Sequence, residues 1–399
     1  MIYRDFQGEK LSMLGFGTMR LPLIPGGKET DIDQEQVNEM VRLAFEGGVN
    51  YFDTAYPYHG SCSEIAIGKA LADYPRESYN LADKYPGHQL TSKAKAQHPS
   101  IIFEDQLKKC GVEYFDYYLM HNVNEYSLQF YADKELGFVD YFVEQKKLGK
   151  IRHLGFSCHG TVENMREYLE LYAEHMEFCQ IQLNYLDWTL QDAEGKIKLL
   201  EEYNIPVWVM EPVRGGKLAR LDEKTTEMLH SLRPEESTAA WCFRWLQTVP
   251  KPTMVLSGMS DIEQMKDNIK TFSEEKPLNE GEINTLYEIA DVLRNSIPCT
   301  ACRYCCEGCP KQLDIPSLLS LCNDSRVAES VNVVMRYGAI DEEKNASACI
   351  GCGKCVKACP QKINVPEAMK ELSQRMEALP SWIEICKKRE EAAKRSASN

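Results

Sequence analysis

Residues 51–72 of the chain read YFDTAYPYHGSCSEIAIGKALA, which is a short apolar run, a polar loop and then a periodic segment. Between Ser63 and Ala72 the apolar residues recur with the spacing of one helical face. A strand that leads through a loop into a helix is the repeating unit of α/β folds. The same succession recurs along most of the chain, so this stretch indicates the fold class.

Seven further apolar runs share the length and surroundings of the run at Tyr51, and successive runs start 25 to 46 residues apart. Eight such units in about 270 residues favour an α/β fold of the closed (β/α)8 TIM barrel type, with an open doubly wound sheet as the alternative. The segment GFGTMRLP lacks the third glycine of the phosphate loop that such an open sheet usually carries. The runs are MLGFGTM, YFDTA, YNLADK, FDYYLMH, HLGFS, FCQIQLN, VWVMEP and TMVLSG, and they start at Met13, Tyr51, Tyr79, Phe115, His153, Phe178, Val207 and Thr253.

The composition of the 399 residues narrows the functional class. Hydrophobic residues make up 43% and charged residues 27%, as in soluble globular proteins. The net charge of −14 argues against nucleic-acid binding, which needs a basic face. The first ten residues, MIYRDFQGEK, contain no apolar core of a signal peptide, and no apolar run is long enough to span a membrane. The sequence therefore predicts a cytoplasmic protein without a membrane partner.

Cysteine usage points to a second module. The chain has 16 cysteines, and ten of them lie in the 61 residues from Cys299 to Cys359. Small secreted domains spread their cysteines along their whole length, which this chain does not do. The pattern predicts a metal-binding module in a reducing compartment.

Within this module the string C-x2-C-x2-C-x3-C-P occurs twice, with an offset of 50 residues. Three thiolates on a tight loop can bind three irons of one cube, while the proline turn carries the fourth cysteine to the other cube. We therefore predict two 4Fe–4S clusters, each held by the first three cysteines of one string and the last cysteine of the other. The predicted ligands are Cys299, Cys302, Cys305 and Cys309 in the first string and Cys349, Cys352, Cys355 and Cys359 in the second.

Two other interpretations of the strings are weaker. Two zinc sites would leave the third cysteine and the proline of each string without a role. Cys306 creates the spacing of a radical SAM cluster with its neighbours, but Val356 stands at the equivalent position of the second string. The long helical gap between the strings resembles the α-helical ferredoxin type. The predicted organisation is a barrel over 1–295, an iron–sulfur domain over 296–375 and a charged helical tail over 376–399, whose basic residues 387–389 are interpreted as a solvated face.

Ionisable residues end several of the apolar runs. In a barrel the carboxyl ends of the strands carry the chemistry, and Asp53, Lys84 and His121 lie there, with Tyr58 on the following loop. A lysine cation lowers the pKa of a nearby phenol, and a carboxylate keeps that lysine charged. The set predicts a proton donor for the oxyanion that forms when hydride reaches a carbonyl carbon.

These residues carry a resemblance to a known family. DTAYPYHGSCSE, LADK, YYLMH, GKIRHLGFS and QIQLNY resemble, in this order, the landmarks of the aldo/keto reductases, although His59 separates Tyr58 from Gly60. The resemblance implies a (β/α)8 barrel that interconverts a carbonyl and an alcohol with NAD(H) or NADP(H). It also implies that Asp53, Tyr58, Lys84 and His121 are the catalytic tetrad.

The nicotinamide site that the resemblance implies is less complete. Ser157, Gln182 and Asn268 match the family's cofactor contacts, with Gln180 as a weaker candidate than Gln182. The departures put NADPH preference in doubt and favour NADH or a looser site. They are Cys158 in place of an asparagine, Met210 and Glu211 in place of a stacking tyrosine, and Gly258 and Gln264 in place of a basic pair.

The function predicted from these features is an oxidoreductase of small-molecule carbonyl compounds, with clusters that exchange single electrons with a ferredoxin or another redox protein. Hydride carries two electrons and each cluster carries one, so a flavin would normally join them. No flavin motif is visible, and a bound flavin stays open. Two alternatives also stay open: a cluster domain that is only structural or a docking module, and a ferredoxin-driven reductase that uses no nicotinamide.

Overall fold

The computed structural model describes residues 1–294, 297, 299, 303–327, 330–359 and 361–396. Contacts divide the chain into two units, Met1–Ile283 together with the residues from Lys388 onward, and Asn284–Lys387. The borders at 295/296 and 375/376 remain predictions. In the described part of the chain, no helix combines the length and the apolar character that a membrane span requires.

Eight parallel strands of the first unit close into a barrel, in the order β10-β3-β4-β5-β6-β7-β8-β9. Closure is made where β10 pairs with β3, with Val255 opposite Leu14. The predicted (β/α)8 barrel is thus confirmed over the open sheet, and each of the eight apolar runs forms one strand. The strands are β1 Tyr3–Phe6, β2 Glu9–Ser12, β3 Leu14–Gly17, β4 Tyr51–Asp53, β5 Asn80–Tyr85, β6 Phe115–Val123, β7 Ile151–Cys158, β8 Cys179–Gln182, β9 Val207–Met210 and β10 Pro252–Ser257.

Polar side chains set where the helices around the barrel begin. Asp33 accepts a hydrogen bond from the backbone N–H of Gln36 at 3.0 Å, and Ser237 accepts one from Ala240 at 3.0 Å. Such caps satisfy N–H groups that have no partner within the helix. The helices are α1 Gln34–Glu46, α2 Ser63–Leu71, α3 Pro99–Cys110, α4 Leu128–Tyr131, α5 Phe138–Lys147, α6 Val162–Tyr172, α7 Asp187–Leu190, α8 Ala193–Glu202, α9 Glu223–Leu232, α10 Thr238–Leu246, α11 Ile262–Phe272 and α12 Glu280–Arg294.

The hairpin β1–β2 precedes the barrel, and the sequence did not predict it. Its turn consists of Gln7 and Gly8, both with positive φ (54° and 88°). Asparagine or aspartate before glycine is the usual signal for such a turn, and glutamine is a weak one. Phe6 of the hairpin packs edge-on against Trp208, with ring centroids 4.9 Å apart, in a buried cluster that includes Tyr117. The barrel interior at this cluster is therefore a packed core.

The second unit is mainly helical, as predicted. The internal repeat is visible in its backbone, because positive φ occurs at Arg303 and Gly353 and again at Gln312 and Lys362, two pairs with the same 50-residue offset as the cysteines. Buried residues from the helix after each string form its core. The remaining helices of the chain are α13 Tyr304–Glu307, α14 Ile315–Val327, α15 Val331–Gly338, α16 Lys354–Ala358, α17 Val365–Glu377 and α18 Trp382–Ser396.

Replacement of Phe6 tests the hairpin's contribution to the barrel. Phe6→Ala should lower the free energy of unfolding by about 3–5 kcal/mol, because it removes a buried ring and leaves a cavity. Urea unfolding followed by tryptophan fluorescence measures the change. Phe6→Leu keeps most of the volume and serves as the control. Equal stability of Phe6→Ala and the wild type would show that the hairpin does not support the barrel.

Candidate active site and cluster cavities

The four predicted catalytic residues come together at the carboxyl ends of the strands. Asp53 ends β4, Lys84 and His121 lie near the ends of β5 and β6, and Tyr58 begins the short turn after β4. Lys84 Nζ lies 2.5 Å from Asp53 Oδ1 and donates to the backbone oxygen of Thr54 at 2.6 Å. The lysine side chain is fully buried, so this ion pair is shielded from water.

Burial and the ion pair act on Lys84 in opposite directions. Burial lowers the pKa of the ammonium, but Asp53, Tyr58 and Asp83 together raise it more, so the pKa lies above its usual range. The pKa of Asp53 is raised by burial, which the charge of Lys84 and the Gln180 side chain oppose. Lys84 is therefore a fixed positive charge at neutral pH.

Tyr58 lies over this charge. Lys84 Nζ is 5.0 Å from the centroid of the Tyr58 ring. Burial raises the pKa of the phenol more than the Lys84 cation lowers it, so the pKa lies above its usual value. The lowering by the lysine is present as predicted, but it does not decide the net direction. Tyr58 keeps its proton at neutral pH.

His121 faces Tyr58 and is neutral. The two ring centroids lie 5.9 Å apart and the planes are nearly perpendicular. Burial lowers the pKa of His121 well below its usual range, and His88, whose ring centroid is 4.4 Å away, contributes. Tyr131 donates to the backbone oxygen of His121 at 2.6 Å. A neutral imidazole can donate one hydrogen bond to a ligand, and Nδ1 of His121 has no hydrogen-bond partner in the described part of the chain.

The inserted His59 has a structural role. Its Nε2 accepts a hydrogen bond from the backbone N–H of Leu21 at 3.0 Å, and Nδ1 lies 2.8 Å from the backbone oxygen of Glu29. His59 therefore connects the loop after β4 to the loop after β3. His59 has positive φ (52°). Its insertion between Tyr58 and Gly60 departs from the family pattern but leaves Tyr58 in place at the strand ends.

The three predicted cofactor residues are buried at the same end of the barrel and hold hydrogen bonds within the chain. Ser157 Oγ accepts from the backbone N–H of Asn122 at 2.7 Å. Gln182 Nε2 donates to Asp187 Oδ2 at 2.7 Å, and Asn268 Nδ2 donates to Ser257 Oγ at 2.8 Å. The structure thus gives their side chains fixed orientations before any ligand is bound.

Met210 and Glu211 stand in place of the expected stacking tyrosine, and the loop after β9 also contributes a buried charged pair with α7. Arg214 Nε lies 3.1 Å from Asp187, and both side chains are buried. Burial and the negative charge of Asp187 raise the pKa of Glu211. The Arg20 guanidinium occupies the space beside Gly215, where a Cβ would lie only 2.9 Å from Nη2. The sequence analysis did not identify Arg20. A sequence signal for its position is Gly215, which has no side chain and so leaves room for the guanidinium.

The end of the chain also reaches this site. The charge of Arg389 lowers the pKa of both His88 and His121. Ala392 lies 3.3 Å from the position that a Cβ on Gly60 would take. The interpretation of residue 389 as part of a solvated face therefore does not hold. No local pattern indicates this placement, because the contact spans some 300 residues of sequence.

Two small cavities of the second unit are lined by thiols among apolar side chains. Each combines cysteines of one string with the last cysteine of the other, which is the predicted crossed arrangement. Thiols in apolar surroundings are the ligand type that iron–sulfur clusters take. The first is lined by Cys299, Cys305 and Cys359 and the second by Cys309, Cys349, Cys352 and Cys355, while Cys302 lies outside the described residues.

Comparison with known proteins agrees with this architecture. The sequence profile of the aldo/keto reductase family matches residues 13–291, and that of the 4Fe-4S dicluster domain matches residues 298–363. The chain belongs to the aldo/keto reductase family. This aldo/keto reductase is thus an oxidoreductase with an added dicluster domain.

Relatives of this aldo/keto reductase cover mainly its barrel. A probable aldo-keto reductase 1 of Glycine max is 27% identical over 53% of this chain and 58% of its own length, so the match spans little more than half of that relative. An NADH-specific methylglyoxal reductase of Escherichia coli is 25% identical over 71% of this chain and 96% of its own. The holo structure of an aldo-keto reductase from Bacillus halodurans superposes with a TM-score of 0.58 at 23% identity, over 72% of this chain and 96% of that one.

Removal of the Arg389 charge tests the placement of the tail. Arg389→Gln should raise the pKa of His88 above about 3, because a nearby cation disfavours the imidazolium. The pKa of His121 should rise in the same sense. NMR titration of labelled histidines measures both. Lys388→Gln, at an exposed neighbour, is the control and should leave both pKa values unchanged. Equal titrations in the two variants would place the tail elsewhere.

Proposed function

We propose that the barrel reduces a small carbonyl compound with NAD(P)H and that Tyr58 donates the proton. The observation that carries this proposal is the buried ion pair of Lys84 and Asp53 directly beneath the Tyr58 ring. The Lys84 ammonium of this pair is a permanent positive charge next to a protonated phenol. It stabilises negative charge on the phenol oxygen, which is present only after the proton has left.

Each residue at the ion pair has a separate role toward the carbonyl oxygen of a bound substrate. When bound, the nicotinamide supplies hydride to the carbonyl carbon. His121, neutral because of its burial, donates a hydrogen bond that orients the carbonyl oxygen. Tyr58 transfers its hydroxyl proton to the oxygen as negative charge develops there. Lys84 stabilises the resulting tyrosinate, and Asp53 holds the ammonium in position.

The chain's own residues fit a nicotinamide. Hydroxyl and amide groups of Ser157, Gln182 and Asn268 lie on three elements, and each is held by a hydrogen bond of 2.7 or 2.8 Å. Their fixed orientation reduces the entropy lost when a ligand binds. We assign these three residues to cofactor binding.

We infer a preference for NADH over NADPH. A 2′-phosphate needs a cation, and Gly258 and Gln264 supply none at the positions of the family's basic pair. Gln264 instead donates to Asp261 at 2.7 Å and accepts from the N–H of Ser260 at 3.0 Å, so its amide is occupied. The carboxylate of Asp261 at this helix start would repel a phosphate. The NADH-specific relative from Escherichia coli supports the inference.

The thiol-lined cavities support two 4Fe–4S clusters with the eight cysteines as ligands. Such clusters transfer electrons singly, so we propose that the second unit exchanges electrons with a redox protein. The replacement of the stacking tyrosine by Met210 and Glu211 favours a second candidate function, a reductase driven through its clusters without a nicotinamide. Coupling of single electrons to hydride would require a flavin, which stays a candidate cofactor.

Tyr58→Phe should reduce the turnover number about 10²–10⁴-fold, because it removes the proton donor and leaves the fold intact. Tyr56→Phe is the matched control, since that ring lies against Lys109 and not against Lys84. The assay is anaerobic oxidation of NADH with a panel of aldehydes, quinones, sugars and keto steroids. Full activity of Tyr58→Phe would rule out this tyrosine as the acid.

Protein purified without oxygen should contain about eight iron atoms per chain, as two clusters of four require. Cys305→Ser should lower iron and visible absorption, because this thiol lines the first cavity. Cys306→Ser, at the adjacent thiol outside the repeat, is the control. Bleaching of the visible absorption by NADH would support coupling to the barrel. Bleaching by dithionite alone would favour the second candidate function.

A further inference from the structure

The cavity of the second cysteine string is open to solvent on one side. Of the cluster cysteines that the structure describes, only Cys352 is exposed, and the others are buried or half-buried. Ile350, which also lines this cavity, is 61% exposed. An exposed ligand beside an exposed apolar side chain is unusual for a cluster that serves only to hold a fold together. It gives a partner protein a short path to the cluster.

Lysines lie at this opening and close to it in sequence, although the whole chain has a net charge of −14. Lys311 lines the cavity itself. Lys354 follows Cys352 by two residues, and Lys357 lies three residues further on the same face of α16.

These lysines are available to a partner. Lys311, Lys354 and Lys357 are exposed, and none of them forms an ion pair with a residue in the described part of the chain. A cluster of exposed cations on an acidic protein attracts an acidic surface and orients the partner as it approaches. Small, charge-steered interfaces are typical of transient electron transfer.

We propose that the face formed by Lys311, Ile350, Cys352, Lys354 and Lys357 docks an acidic one-electron carrier protein. This proposal rests on the proposed presence of the clusters. The reduced carrier gives one electron to the cluster bound next to Cys352, the carrier becomes oxidised and the cluster reduced, and no atom is transferred. The lysines attract the carrier and orient it as it approaches, and Ile350 forms the apolar centre of the contact.

The test is the rate of cluster reduction under anaerobic conditions. A plant-type 2Fe–2S ferredoxin, reduced and freed of dithionite, is mixed with the full chain in a stopped-flow instrument, and the visible absorption of the chain is followed. Lys354→Glu combined with Lys357→Glu should lower the second-order rate constant at least about tenfold at low ionic strength and remove most of its salt dependence. Dithionite, a small molecule, should reduce wild type and variant equally fast.

The control has the same change of charge elsewhere, at the exposed barrel lysines Lys28 and Lys69. Lys28→Glu combined with Lys69→Glu should keep the wild-type rate with ferredoxin. Equal rates for wild type and the Lys354/Lys357 variant, or an equal loss in the control, would overturn the docking face. A chain that binds no iron or is not bleached by dithionite would instead overturn the proposed clusters, and the docking face with them.

Discussion

The buried ion pair between Lys84 and Asp53 is the constraint on which the active site depends. A lone ammonium at this depth would be strongly disfavoured, and removal of one partner from such a pair costs about 3–5 kcal/mol. The parallel register of β4 and β5, with Asp53 opposite Ala82, brings the carboxylate within reach of Lys84. The Lys84 ammonium can therefore stay charged only when β4 and β5 pair in this register. Its position in turn defines where proton transfer can occur.

Around this pair the other groups are neutral at physiological pH. Tyr58 and His121 have pKa values displaced in opposite directions, the phenol upward and the imidazole downward, and burial is the largest cause for both. One cause thus yields a protonated donor and an uncharged hydrogen-bond donor beside the fixed charge of Lys84. This division of roles suits the stabilisation of a developing oxyanion.

Much of the fold follows from local pattern. The eight apolar runs and the helices between them have periods that any short window reveals, and Asn279 could be recognised as the cap of α12, where it accepts from the N–H of Glu282 at 3.0 Å. The hairpin at Gln7 and Gly8 was missed because its turn lacks the usual asparagine.

The barrel, the repeated cysteine strings and the four residues at the strand ends could all be predicted from spacing along the chain. The net pKa direction of Tyr58, the structural role of His59 and the approach of Arg389 to His88 became visible only in the folded chain. Those properties depend on which groups pack around a residue from distant parts of the chain. The burial of a residue and the charges around it cannot be inferred from its neighbours in the sequence.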